Sequence, residues 1–253
     1  MVAKMKTMEV FHADSLAGPL AKLKQAFEAT ENGITVNLTA GRSKELAERI
    51  AAGAVCDVFA PSDPAVVPVT GTDWSIIFSA NEIVLITQAG NPQQLAKIND
   101  LAAPHIRLAR VVGEKDMATT RSLRFIRQAA AAEGVAEQAE SIIAATCVPA
   151  PTIPDAVAAV TTGAADAAVV YYSAAVAAGN AVAIIRFPAA VNLSGEIRNA
   201  LSIPATAAEY EAACHFIRFI LSEPGRAILQ ACGQPPLVPP ILSGPVPPAI
   251  TPA

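Results

Sequence analysis

The chain has 253 residues, 53% of them hydrophobic, and a formal net charge of −4, which predicts an ordinary globular protein with one large or two small domains. The acidic pI of about 5.4 and the lack of a lysine or arginine cluster argue against nucleic acid as a partner. No apolar run approaches the roughly 20 residues that span a bilayer, and no signal peptide is visible at the start.

The cysteines are widely scattered and form no Cys-x-x-Cys pair, which argues against a zinc site. We expect them to be buried free thiols. The sequence alone does not decide whether Cys214 and Cys232 form a disulfide.

The first βα unit has an anion-binding character. A β-rich run, Met8 to Phe11, is followed by a short turn and by a helix that we expect to begin at Ser15, with Leu16, Leu20, Leu23 and Phe27 on its apolar face. Ser15 then lies at the carboxyl end of a strand and at the amino end of a helix. Such a position offers a hydroxyl, unpaired backbone N–H groups and the positive end of the helix dipole, which together suit an anion.

The same arrangement recurs directly afterwards. A predicted strand at 34–38 leads to Ser43, an N-cap candidate for a helix with Leu46, Ala47 and Ile50 on one face. A third strand at 57–60 is followed by a short helical turn from Pro61. Consecutive βα units predict a parallel sheet with right-handed crossovers.

The second half repeats this architecture. We expect the chain to cross into a second domain near residues 80–90 and to return at 186–193. Capping residues indicate two helix starts in the second half. Asp116 is a natural N-cap for a helix at 117–133, and the segment from Thr152 to Asp155 has the pattern of a capping box with proline in the first turn. The proline-rich tail from Pro235 should lie extended on the surface.

Several segments resemble the molybdate- and tungstate-binding proteins of ABC importers, which are type II periplasmic binding proteins. The similarity covers nearly the whole chain in order and is carried by Val10–Leu16, Leu46–Ala54, Asp57–Ala60, Asn81–Leu85, Val169–Tyr171 and Gly233–Pro240. The resemblance implies an α/β fold of two lobes, each a mixed, mostly parallel sheet flanked by helices. Lobe 1 would comprise residues 1–82 and 190–253, lobe 2 residues 83–189, and the ligand cleft would lie between them.

The resemblance also implies a set of ligand-binding residues. Ser15 and Ser43 match the two hydroxyl ligands of the first lobe. Ala118 and Ile153 match positions that donate backbone N–H groups from the second lobe, and Tyr171 matches a ring hydroxyl that reaches the oxyanion. No metal would be coordinated directly by the protein, and the ligand would be molybdate or tungstate rather than a cofactor.

The chain departs from the family pattern in two ways. In one branch of the family two carboxylates approach the metal; Asp116 matches the first, but the second is replaced by Ala164 or Ala165. Asp14 stands where the family usually has glycine or alanine, and a carboxylate there repels a dianion unless it points away or pairs with Arg42 or Arg121.

Helix capping alone is the competing interpretation for the serines, for Asp116 and for Thr152. His12, three residues before Ser15, could suggest a nucleophilic serine. However, no Gly-x-Ser-x-Gly elbow surrounds Ser15, and neither phosphate-loop pattern occurs. We therefore predict no catalytic residues and no enzyme activity.

The sequence thus predicts a monomeric binding protein that captures a small tetrahedral oxyanion, molybdate or tungstate, and delivers it to an ABC transporter permease by hinge closure. Its location would be periplasmic or otherwise extracytoplasmic, with the cytoplasm left open. The alternatives are the same fold with another anion, such as sulfate or a small carboxylate, and a cytosolic anion sensor or enzyme.

Overall fold

The computed structural model of the protein describes residues 6–31, 33–113 and 117–250. The chain divides into two compact units. Unit 1 runs to Ala80 and resumes at Ile197, and unit 2 is Asn81–Glu196.

Strands and helices alternate along most of the chain. The strands are β1 (Lys6–Ala13), β2 (Ile34–Gly41), β3 (Val58–Ala60), β4 (Ser75–Ala80), β5 (Ile83–Gln88), β6 (Leu108–Val111), β7 (Thr146–Ala150), β8 (Ala167–Tyr171), β9 (Val182–Ile185), β10 (Arg198–Leu201) and β11 (Pro236–Ser243). The helices are α1 (Ala17–Thr30), α2 (Ser43–Ala51), α3 (Met117–Ala132), α4 (Ala139–Ala144), α5 (Ile153–Thr161), α6 (Tyr172–Ala178), α7 (Tyr210–Leu221) and α8 (Glu223–Ala231).

A parallel sheet of order β2-β1-β3 carries the amino-terminal part of unit 1. Helix α1 packs an apolar stripe into the core of this unit. Its members recur at helical spacing and are at most 1% exposed: Leu16, Leu20, Leu23 and Phe27. Phe27 also makes an edge-to-face contact with Phe216 of α7, with ring centroids 5.0 Å apart. This packing fixes α1, and with it the turn that precedes α1, against the sheet.

The second sheet of unit 1 is antiparallel, with the order β10-β4-β11. An antiparallel bridge between Phe59 and Ser202 connects the two sheets. The proline-rich tail is extended and has no buried residue along Pro236–Ser243, as expected for a surface segment, and it forms strand β11, whose pairing with β4 is interrupted between Pro236 and Ile241. A proline-containing strand is tolerated there because β11 lies at the edge of its sheet.

Unit 2 contains one sheet of order β7-β6-β8-β5-β9, in which β6, β7 and β8 are parallel and β5 is antiparallel to both of its neighbours. The predicted α/β class with mixed sheets is confirmed. Antiparallel pairing is more extensive than expected, because strands adjoining the unit boundaries, β4, β5 and β10, all pair in that sense.

Buried polar groups hold the boundary segments of unit 2 together. The Glu82 carboxylate accepts a hydrogen bond from Arg186 Nε at 2.6 Å and another from the side-chain amide of Asn192. The backbone N–H of Ile83 donates to the carbonyl of Asn192 at 2.8 Å. These bonds connect the segment around Asn192 to the start of unit 2, which ends at Glu196.

Cys214 and Cys232 are free thiols, as is the buried Cys56. Among the described residues, none of the helices combines the length and the apolar character that crossing a bilayer requires.

Candidate functional site

Three serines follow the three parallel strands of unit 1. Ser15, Ser43 and Ser62 each stand two positions after the last residue of β1, β2 and β3, respectively. Because parallel neighbours end at the same edge of a sheet, this repeated offset gathers the three hydroxyl-bearing turns at the carboxyl edge of the sheet β2-β1-β3. All three serines are partly buried.

Ser43 and Ser62 are directly connected. The backbone N–H of Ser62 donates to Ser43 Oγ at 3.1 Å, and the two hydroxyl oxygens are 3.5 Å apart. A serine oxygen that accepts a bond in this way still has its own proton to donate. The Ser43 hydroxyl therefore keeps a proton that it can donate, either to Ser62 Oγ or to a ligand.

The prediction that Ser43 is an N-cap is wrong, and Ser15, where we expected the helix to begin, does not cap it either. Ala13 and Arg42 occupy the N-cap positions, and neither helix start has a side-chain cap hydrogen bond. Ser15 lies inside a short 3-10 turn, Asp14–Leu16, and Ser43 is the first residue of α2. The two hydroxyls are thus not used for capping. The first-turn N–H groups beside them have no side-chain acceptor at the cap.

The charged residues flanking these serines, Asp14 and Arg42, are exposed. Arg42 contacts Glu45 with an N–O distance of 3.4 Å, and both side chains are more than 60% exposed, so their interaction is largely screened. Within the described ranges, no ion pair joins Asp14 to Arg42 or to Arg121.

His12 is 2% exposed, and burial lowers the pKa of its imidazole. Its Nδ1 lies 2.9 Å from the carbonyl oxygen of Ala13. A carbonyl can only accept a hydrogen bond, so Nδ1 carries the proton of the neutral ring. His12 is accordingly a hydrogen-bonded core histidine.

Unit 2 has a comparable edge. The parallel strands β6, β7 and β8 end there, and the chain continues from them toward α3, α5 and α6. Ala118 is the second residue of α3, Ile153 is the first residue of α5, and Tyr171 is the last residue of β8. The three unit 2 residues matched by the resemblance therefore belong to one edge of one sheet. Asp116 lies outside the described residues.

The first turn of α5 leaves one donor available. Thr152 and Asp155 form the predicted capping box: the Thr152 hydroxyl donates to the Asp155 carboxylate at 2.6 Å and accepts from the Asp155 N–H at 3.3 Å. Pro154 has no N–H. In the part of the chain that the structure describes, no acceptor faces the N–H of Ile153. Capping thus occupies the Thr152 hydroxyl and leaves the backbone N–H of Ile153 without a side-chain acceptor.

Tyr171 is 9% exposed, and its hydroxyl oxygen accepts a hydrogen bond from Arg121 Nη1 at 3.0 Å. The Arg121 guanidinium carbon also lies 5.9 Å from the centre of the Tyr171 ring. A phenol oxygen that accepts from a cation retains its proton and becomes a stronger donor. Arg121 therefore brings positive charge to this edge through Tyr171.

Sequence reasoning missed Ser62, although its signal was present in the repeated two-residue offset from the strand ends. In the described ranges, no three His, Cys, Asp or Glu side chains come together as the ligands of a metal ion would. The chemistry available at both edges is hydrogen-bond donation by hydroxyl and amide groups, which suits an anion rather than a cation.

Comparison with known proteins finds a matching family and a relative aligned over most of the chain. Residues 8–233 match the family described as bacterial extracellular solute-binding protein. The molybdate-binding protein ModA of Mycobacterium bovis is 27% identical over 235 residues, which cover 90% of this chain and 84% of ModA.

Solved structures show the same fold. The substrate-binding domain of a molybdenum ABC transporter from Clostridium difficile has a TM-score of 0.74 at 19% identity, covering 91% of this chain and 99% of its own. The sulfate-binding protein SubI of Mycobacterium tuberculosis has a TM-score of 0.72 at 18% identity, covering 92% of this chain and 88% of its own. The fold is therefore shared by proteins whose ligands differ.

Proposed function

Because the chain belongs to the bacterial extracellular solute-binding protein family, we propose that it captures a small tetrahedral oxyanion and delivers it to an ABC importer. Molybdate or tungstate is the proposed ligand. The observation that carries this proposal is the gathering of hydroxyl and backbone N–H donors at the carboxyl ends of neighbouring parallel strands in each unit. The similarity to a molybdate-binding relative supports it.

The proposed donors are the hydroxyls of Ser15, Ser43 and Tyr171 and the backbone N–H groups of Ala118 and Ile153. A hydrogen bond to a charged group contributes about 1.5–3 kcal/mol, so five of them supply roughly 8–15 kcal/mol. Association costs about 4–15 kcal/mol. The two ranges are of the same size, so neutral donors can offset the cost of association without a positively charged residue touching the anion.

Three of the residues considered earlier are left out of this set for physical reasons. The Thr152 hydroxyl donates to Asp155 within the capping box. Arg42 is exposed and contacts Glu45. Asp14 is exposed and negatively charged, so it would weaken the binding of a dianion rather than contribute to it. Ser62 is added as a third hydroxyl beside Ser43.

We further propose that a single anion takes hydrogen bonds from donors of both units. Such an anion favours the arrangement in which both sets of donors reach it, because ligand binding shifts an equilibrium by its differential affinity. Binding without covalent chemistry, a location outside the cytoplasm, action as a monomer and docking to a membrane permease belong to the same proposal. Small-angle scattering with and without molybdate tests the proposed shift on ligand binding, and we expect a smaller radius of gyration in the bound state.

The ligand is identified by measuring thermal unfolding with molybdate, tungstate, sulfate and phosphate. At 100 times its dissociation constant a ligand adds about 2.7 kcal/mol to the unfolding free energy, which raises the melting temperature of a chain of this size by about 5–10 °C. We expect such a shift with molybdate and tungstate. No shift with any of the four anions would refute oxyanion capture.

Sulfate is the second candidate, because a sulfate-binding protein has nearly the same structural similarity as the molybdenum-transporter domain. A shift with sulfate alone would select it.

Asp14 gives a further test of charge. Replacing Asp14 with glycine removes a negative charge beside the Ser15 turn and should tighten the binding of a dianion measurably at low ionic strength. An unchanged dissociation constant would show that Asp14 points away from the anion.

A further inference from the structure

A chain of buried amides lies behind the Ser15 turn. Gln234 Nε2 donates to the backbone carbonyl of Ser15 at 3.1 Å. Gln234 Oε1 accepts from Asn199 Nδ2 at 2.9 Å, and the same Nδ2 donates to Ser79 Oγ at 2.9 Å. Gln234 and Ser79 are fully buried, and Asn199 is 1% exposed. Polar side chains so deeply buried stabilise the fold through hydrogen bonds within the protein, because solvent does not reach them.

The Ser15 carbonyl lacks its α-helical donor. In a continuous helix it would accept from the residue four positions later, which is Pro19, and proline has no N–H. The side chain of Gln234, 219 residues away in sequence, supplies a donor to this carbonyl. The turn that carries the Ser15 hydroxyl is thus fixed by a contact from the other end of the chain.

The geometry also determines which way the Gln234 amide faces. The Ser15 carbonyl can only accept, so the amide nitrogen must face it, and the amide oxygen is left for Asn199. Asn199 in turn donates both of its amide protons, one to Gln234 and one to Ser79. Removing the Gln234 amide therefore leaves the Ser15 carbonyl and one Asn199 amide proton without these partners.

The two other members lie on the strands that leave and re-enter unit 1. Ser79 precedes Ala80, the last residue of β4 and of the first segment of unit 1. Asn199 follows Ile197, where unit 1 resumes, by two positions. The amide chain therefore joins the Ser15 turn to both strands that connect unit 1 with the rest of the protein.

We propose that Gln234 is a positioning residue for the oxyanion: it holds the Ser15 turn in place and couples that turn to the two connecting strands. This inference depends on the proposed function for its ligand readout. The hydrogen-exchange measurement described below does not depend on the proposed function.

The test is a double-mutant cycle measured by calorimetry with molybdate. Gln234→Met has a similar shape without hydrogen-bonding groups and should weaken binding roughly three- to tenfold. In a Ser15→Ala background the same change should have less than a twofold effect, whereas in a Ser43→Ala background its effect should be retained in full. Gln230→Met, at an exposed position of α8, is the matched control and should leave affinity unchanged.

Hydrogen exchange of the ligand-free protein provides an independent measurement. Gln234→Met should speed exchange of the backbone amides at 15–18, and Gln230→Met should not. If Gln234→Met does not fold, Gln234→Glu replaces it, because the isosteric acid keeps an acceptor toward Asn199.

Equal effects of Gln234→Met in the Ser15→Ala and Ser43→Ala backgrounds, or unchanged exchange at 15–18, would overturn the proposal. If the unmodified protein binds no oxyanion, the proposed function fails, and hydrogen exchange alone decides whether Gln234 positions the turn.

Discussion

Replacing Ser43 with alanine separates ligand binding from folding more cleanly than other changes at the unit 1 edge. In the structure Ser43 Oγ accepts a hydrogen bond from the Ser62 N–H at 3.1 Å and lies 3.5 Å from Ser62 Oγ, and in the proposed function its proton is donated to the ligand. The substitution removes both interactions. Its effect on binding and its effect on stability can therefore be worked out separately and measured independently.

A hydrogen bond to a charged acceptor is worth about 1.5–3 kcal/mol, so Ser43→Ala should raise the dissociation constant for molybdate about 10- to 150-fold. The lost bond from Ser62 is neutral and only partly buried, and costs about 0.5–1.5 kcal/mol. For a chain of this length that corresponds to a melting temperature lower by roughly 1–6 °C.

Calorimetry with molybdate and thermal unfolding of the ligand-free protein measure the two effects. Ser43→Thr is the control, because it retains a hydroxyl and should bind within a few fold of the original protein. An unchanged dissociation constant for Ser43→Ala, together with a lower melting temperature, would refute the reasoning. Ser43 would then serve only to hold the loop at Ser62.

Three further changes test other parts of the structure. Tyr171→Phe removes a donor from the unit 2 edge and should weaken oxyanion binding about tenfold or more, measured by calorimetry. Burial lowers the pKa of His12, so near pH 6.5 and below the unfolded chain takes up a proton at this ring more readily than the folded chain does. The unfolding free energy should therefore fall as the pH decreases, and His12→Gln should reduce this slope near about pH 6, above the range in which Glu28 and Asp166, whose pKa values are also lowered, act in the same direction. Asp57→Asn should lower the unfolding free energy by about 1–3 kcal/mol in urea titrations, because the buried carboxylate accepts three backbone N–H bonds at 2.7–2.8 Å.

Each of these changes has an outcome that would contradict it. Tyr171→Phe with unaltered affinity would remove the ring hydroxyl from the proposed donor set. The slope should persist in the exposed control variant His105→Gln. If it persists equally in His12→Gln, another group causes it. Wild-type stability of Asp57→Asn would mean that solvent or neighbouring groups compensate for the lost acceptor.

Hydrophobic periodicity was sufficient to predict much of the fold, because burial of one face dictates both the element and its orientation. The stripe on α1 is the clearest case, since Leu16, Leu20 and Leu23 are at most 1% exposed. The position of Ser15 after a parallel strand followed from the same pattern. Its role at the helix start did not, because a single residue decides whether a serine precedes a helix or lies within it.

Long-range polar contacts could not be predicted in the same way. Gln234 lies at the other end of the chain from Ser15, and no periodicity connects the two. The nearby Pro19 indicates that a donor is missing but does not show where it comes from. Ser62 was missed for a different reason. The short strand β3 ends in a polar turn that resembled ordinary loop chemistry.

The edge strand β11 has a further consequence for how the protein behaves at high concentration. An unpaired strand edge normally offers a row of N–H and C=O groups on which another chain can assemble. Val238, Ile241 and Leu242 make this edge apolar, with exposed fractions of 46–64%, which would ordinarily favour aggregation. Pro236, Pro239 and Pro240 withhold the N–H donors that an incoming strand would need, so these prolines protect an apolar edge from templated growth of the sheet.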